Sequence, residues 1–136
     1  MSTKIAWTSS AEISGGPSLK AGSSAGINAY ALIEETVPAH EGGTDGELTV
    51  EIQPSGDVTD LRAFALTSEV YHAGLTWTIK DAADTEGAKD VPLDAALFLY
   101  GGVIGSLLEV APQKISFTNT VEQPIPIRLL VGRVTS

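Results

Sequence analysis

A chain of 136 residues, 43% hydrophobic and without cysteine, fits one globular domain with its own core and excludes disulfides, thiolate metal sites and a cysteine nucleophile. Its 17 acidic and 8 basic residues leave a net charge of −9. The lysines and arginines stand singly along the chain, so the clustered positive charge that nucleic acid or an anionic membrane surface requires is missing.

The charge is uneven: residues 1–60 hold nine acids and two lysines, and residues 61–136 hold eight acids and six bases. The bland reading is solubility and protection of strand edges; the functional one is an N-terminal half that faces a basic partner. The opening MSTKIAWTSS has no apolar run, so no secretory signal peptide is expected and synthesis is assigned to the cytoplasm.

Lys4–Thr8 reads as a strand with Ile5 and Trp7 on one face. Residues 9–26 are small and polar, with a turn signal at Gly15-Gly16-Pro17; residues 1–26 are therefore expected to be a flexible or extended arm. Within it, Gly22-x-Ser24-x-Gly26 matches the spacing of a nucleophile elbow. That motif works only on a strand-to-helix turn, and no helical pattern follows, so a flexible loop is the preferred reading over a small hydrolase using Ser24 with His40 or His72.

From residue 27 to 136 the chain reads as one domain. Strands are expected at Ile27–Val37, at 46–53 with Leu48, Val50 and Ile52 alternating against polar neighbours, and at Leu61–Thr67. Leu75–Lys80 has Leu75, Trp77 and Ile79 on one face, and Lys114–Asn119 has Ile115 and Phe117. Ile125–Val131 places Ile125, Ile127, Leu129 and Val131 on one face and Arg128 and Leu130 on the other. A period of two is the mark of a half-buried strand. Ala95–Tyr100 is apolar throughout, which predicts burial on both faces or a subunit contact; a helix of about two turns is the competing reading. About eight strands with turn signals every 8–15 residues predict an all-β antiparallel sandwich, jelly-roll-like, with an extended N-terminal segment.

His40, Glu41, Asp45 and Glu47 form one candidate metal cluster, but one local histidine is too few for zinc. Asp81, Asp84, Glu86, Asp90 and Asp94 form another. It lacks the EF-hand spacing and reads as a solvated loop, with Ca²⁺ as the alternative. Trp77, Phe64 and Phe117 are assigned to the core, leaving Trp7 and Tyr71 as the freer aromatics.

The segment from Leu61 to Val134 resembles small all-β structural proteins of tailed phages. The likeness lies in the order of Leu61-Arg-Ala-Phe-Ala-Leu-Thr67, Leu75-Thr-Trp-Thr-Ile-Lys-Asp81, a variable acidic loop, Val91-Pro-Leu93 with an apolar strand, Lys114–Thr120 and Ile127–Arg133. The resemblance implies a virion decoration, cement or tail-accessory protein present in many copies. It implies no enzyme activity, catalytic residue or cofactor. The expected partners are the chain itself, as a homotrimer, and the major capsid or another virion protein. The expected contacts are Ile5, Trp7, Ile13 and Leu19 of the arm, and Leu97, Phe98, Leu99, Tyr100, Val103 and Ile104 of the glycine-flanked apolar stretch. The alternative is a carbohydrate- or receptor-binding module, with or without Ca²⁺.

Overall fold

A computed structural model describes residues 3–52 and 60–134; Gln53, the expected end of one strand, and the turn signal at Pro54–Asp57 lie outside them. Ten strands and one short helix follow in order: β1 (Thr3–Glu12), β2 (Ser18–Ile27), β3 (Ala29–Val37), β4 (Gly46–Glu51), β5 (Leu61–Ser68), β6 (His72–Lys80), β7 (Val91–Leu93), β8 (Leu97–Tyr100), α1 (Val103–Leu108), β9 (Lys114–Asn119) and β10 (Ile125–Arg133).

Eight of these form two four-stranded antiparallel sheets, ordered β3-β10-β5-β8 and β4-β9-β6-β7. The pairs β3/β10, β4/β9, β5/β8 and β6/β7 nest inside one another, as in one long hairpin rolled up so that alternate pairs fall in alternate sheets. That is the jelly roll. The count rises from about eight to ten through β2 and β7, which were not among the expected strands; β2 pairs with β1 as a separate two-stranded hairpin.

The periodic strands deliver the core. Leu75, Trp77 and Ile79 of β6 and Ile115 and Phe117 of β9 point inward from one sheet; Phe64 and Leu66 of β5 and Ile125, Ile127, Leu129 and Val131 of β10 point inward from the other. All are buried. Phe64 meets Trp77 across the interface with ring centroids 6.3 Å apart. These rings are core, as their strand periodicity predicts. Asn119, buried at the end of β9, donates to the carbonyls of Pro38 and Gln123 and accepts from the Val121 N–H, so its amide ties the Pro38 segment to the loop after β9 at that end of the sandwich.

Within Ala95–Tyr100 the residues Leu97–Tyr100 form a strand and none forms a helix; Gly101, in the left-handed region at φ 74°, turns the chain, and α1 follows. Leu99 sits 8% exposed, and Ile104 and Leu108 of α1 are fully buried. The turn of α1 is thus held by two side chains four residues apart on one face. Leu99 and Ile104 belong to the core because their alternation and helical phase aim them inward, which removes both from the expected contact set.

Candidate functional site

The outer faces of the two sheets carry different chemistry. On β4, β9 and β6 the outward residues include Glu47, Thr49, Ser116, Thr118, Thr78 and Lys80, which with Glu86 and Asp90 line a polar depression. On β3, β10, β5 and β8 the outward residues form cross-strand rows, fixed by register. Tyr30 pairs with Gly132, Gly132 with Ala63, and Ala63 with Tyr100; one step along, Leu32 pairs with Leu130, Leu130 with Ala65, and Ala65 with Phe98. A third row starts with Glu34, whose Oε1 accepts from Arg128 at 3.1 Å.

The hairpin lies across the first row. Ile27 covers Gly132 so closely that a Cβ there would stand 3.3 Å from the Ile27 Cδ1, and Ala63 has no exposure although it faces outward. Farther along, Trp7 stacks on Tyr100, with centroids 4.1 Å apart and planes 5° apart. Partial burial pushes the Tyr100 phenol above its ordinary value.

Past Tyr100 the hairpin leaves the body. Every residue from Thr8 to Ser24 is exposed, and among the described residues neither strand pairs with anything but the other. The ladder runs through ten pairs without a shift, from Thr3 opposite Ile27 to Glu12 opposite Ser18. It closes through a turn centred on Ser14 and Gly15, where Gly15 takes φ 72° and the Gly16 N–H donates to the Ile13 carbonyl at 2.7 Å.

Side-chain alternation makes this hairpin two-faced. The face that rests on the body carries Ile5, Trp7 and Ile27. It continues outward with Ser23, Ser9, Ala21, Ala11 and Leu19, and Ile13 lies beside Leu19 at the tip, while the opposite face carries Lys4, Ala6, Thr8, Ser10, Glu12, Lys20 and Ser24. Ile13 and Leu19 are 65% and 72% exposed, and in the second row Leu32 and Phe98 are 50% and 49% exposed. Leu32, Ala65, Thr67, Phe98, Arg128 and Leu130 line a shallow groove there.

Of the expected contact residues, the structure brings Trp7, Phe98 and Tyr100 together; the Phe98 and Tyr100 rings lie 6.4 Å apart. Ile5 is half-buried near the hairpin base. Ile13 and Leu19 sit at the hairpin tip. Val103 is exposed on α1, while Leu97 is half-buried against the core. The sequence reading missed Tyr30 and Leu32. Their signal was the outward phase of the strand starting at residue 27, which is apolar on both faces at its beginning.

The remaining candidates are dispersed. Ser24 lies in the middle of β2 opposite Ala6, on a straight strand and not on an elbow. His40 contacts Asp45 at 2.8 Å. In the acidic loop, Asp81 accepts from the Ala83 and Thr85 amides, Asp84 pairs with Lys114 at 2.9 Å and Glu86 with Lys89 at 3.2 Å. Among the described residues no three acidic or histidine side chains converge as a metal site. Arg133 is 1% exposed, and its guanidinium has no hydrogen-bond partner among the described residues. Burial lowers its pKa against the pull of Asp60, and the group faces neither outer surface. No helix among the described residues is long and apolar enough to cross a membrane. No protein family matches this chain, and neither a curated protein nor a solved structure was found to match it.

Proposed function

We propose that this protein is a non-enzymatic structural component of a tailed-phage virion, a capsid decoration or cement protein that works through self-association and contacts with a coat protein. One observation carries the reading: a two-faced hairpin extends well beyond the body with its apolar face bare. A hairpin without further packing is marginal in water, and bare apolar surface beside polar surface is the mark of a protein contact. The jelly roll beneath it is a rigid plug that positions the hairpin, and it hosts many functions.

The sequence resemblance supports the virion assignment, and the acidic body supports contact with protein over nucleic acid. A closed homotrimer is the expected form. The carbohydrate-binding alternative draws on the aromatics outside the core. Trp7 and Tyr100 cover one another's faces, which leaves Phe98, Tyr30 and Tyr71 as exposed rings.

The test is to purify virions of the phage that encodes the chain on a density gradient and quantify the protein by mass spectrometry. The reading expects many copies per particle and rebinding of purified protein to stripped capsids. Absence from the particle, together with glycan-dependent quenching of Trp fluorescence, would replace it with the binding-module reading.

A further inference from the structure

The hairpin and the sheet face it crosses form two halves of a single contact. We infer that the hairpin tip of one copy seats its apolar face, through Ile13 and Leu19, on the row Leu32–Leu130–Ala65–Phe98 of a second copy, head to tail. This rests on the self-association reading above and names the surfaces that perform it.

Three observations select a second copy as the occupant. The first is continuity. The base of the hairpin already lies on this sheet, Ile27 against Gly132 and Trp7 on Tyr100. The row beneath it, Tyr30–Gly132–Ala63–Tyr100, has large residues at its ends and small ones in its middle. The bare row beside it keeps large apolar ends, Leu32 and Phe98, and the small Ala65, with Leu130 in place of glycine, and the same face of the hairpin continues outward unoccupied.

The second is reach. Ten ladder pairs without a register shift give a continuous ribbon with no bulge to bend it back. The five pairs beyond Tyr100 extend ~17 Å past the sheet edge. The tip is therefore carried away from its own bare row and meets the row of a neighbour.

The third is charge. Residues 3–27 hold two lysines and one glutamate, whereas residues 28–136 hold six basic and sixteen acidic residues. Two bodies repel each other; a hairpin and a body do not. A contact between unlike surfaces is heterologous, so each copy both gives a tip and receives one, and the set forms a ring where the rotation between copies closes.

The chain has no cysteine, so engineered thiols report contacts without background. Two differently tagged chains, one Leu19→Cys and one Phe98→Cys, are co-expressed, purified through both tags and oxidised mildly. The expected result is a disulfide joining the two chains, several-fold more abundant than any product of either variant alone. The aspartate variants Leu19→Asp and Phe98→Asp, each still folded by circular dichroism, are each expected to be monomeric, and their mixture to form one-to-one dimers. Cross-linking of Leu19→Cys chains to each other as the main product would overturn the seat in favour of tip-to-tip pairing. An oligomeric mass without the mixed disulfide would overturn the seat and leave self-association standing. A monomeric wild-type chain at every concentration would overturn both.

Discussion

The outer face of β4-β9-β6-β7 and that of β3-β10-β5-β8 are built on the same jelly roll and share one core, yet they present opposite chemistry. The first is a lawn of Thr, Ser, Lys and Glu, typical of a sheet face finished by water. The second is a run of Tyr, Leu, Ala and Phe, half covered by the chain's own hairpin and half bare. Since the core requirements of the two sheets are alike, folding alone does not explain the difference. The apolar face is finished by protein, first by the hairpin's base and, in our reading, then by the tip of a neighbour.

Removing the cover that the molecule already has should produce the largest change. In Gly132→Val, the new side chain collides with Ile27, and overpacking of this kind costs about 1–3 kcal/mol. The expected outcome is a lower melting temperature together with higher binding of a hydrophobic dye, because the row under the hairpin opens. Thermal unfolding with dye fluorescence checks both.

Charging the bare half should change association more than stability. Phe98→Asp is expected to weaken self-association by at least tenfold, about 1.4 kcal/mol, while the monomer loses the half-exposed ring's contact with Tyr100, about 1 kcal/mol, and stays folded. Thr118→Asp, on the polar face, is the matched control and should leave native mass unchanged. Sedimentation velocity across a concentration series reads the contrast; equal effects from the two aspartates would erase the distinction between the faces.

The smallest effect belongs to the ion pair beside the polar sheet. The hydrogen bond and charge of Lys114 hold the Asp84 carboxyl below its ordinary 3.8, and Asp84 in turn raises Lys114. A depressed carboxyl pKa contributes stability that is present above the ordinary value and is lost as the pH falls through the lowered one. Both groups are open to solvent, so screening keeps the contribution small. The Tm difference between wild type and Asp84→Asn should be slight at neutral pH and vanish in acid.

Much of the fold was legible because its strands announce themselves by alternation. Leu75, Trp77 and Ile79 on one strand, and Ile125, Ile127, Leu129 and Val131 on another, had only one way to face a core. Strand order was not legible. Nesting Ala29–Val37 against Ile125–Arg133 joins segments about a hundred residues apart, and no local pattern encodes that partner. The hairpin was hidden by its composition: Ser, Gly and Ala carry little strand propensity, so residues 9–26 read as a mobile or extended arm. Yet Ile5, Trp7, Ile13, Leu19 and Ile27 all fall at odd positions, and once Thr3 is set opposite Ile27 they share one face. The apolar stretch at 97–108 misled in detail, because a run without polar markers does not show which of Phe98 and Leu99 faces out.

The most direct measurement of the central claim is native mass by light scattering, for the wild-type chain and Leu19→Asp over the same concentration range. Leu19 is 72% exposed, beside only Ala11, Ile13 and Pro17 of its own hairpin, so its charge acts chiefly through a neighbour. The account predicts a wild-type mass that rises to a closed oligomer and a Leu19→Asp chain that stays monomeric with an unchanged melting temperature. Two identical mass curves, whether both monomeric or both oligomeric, would contradict it.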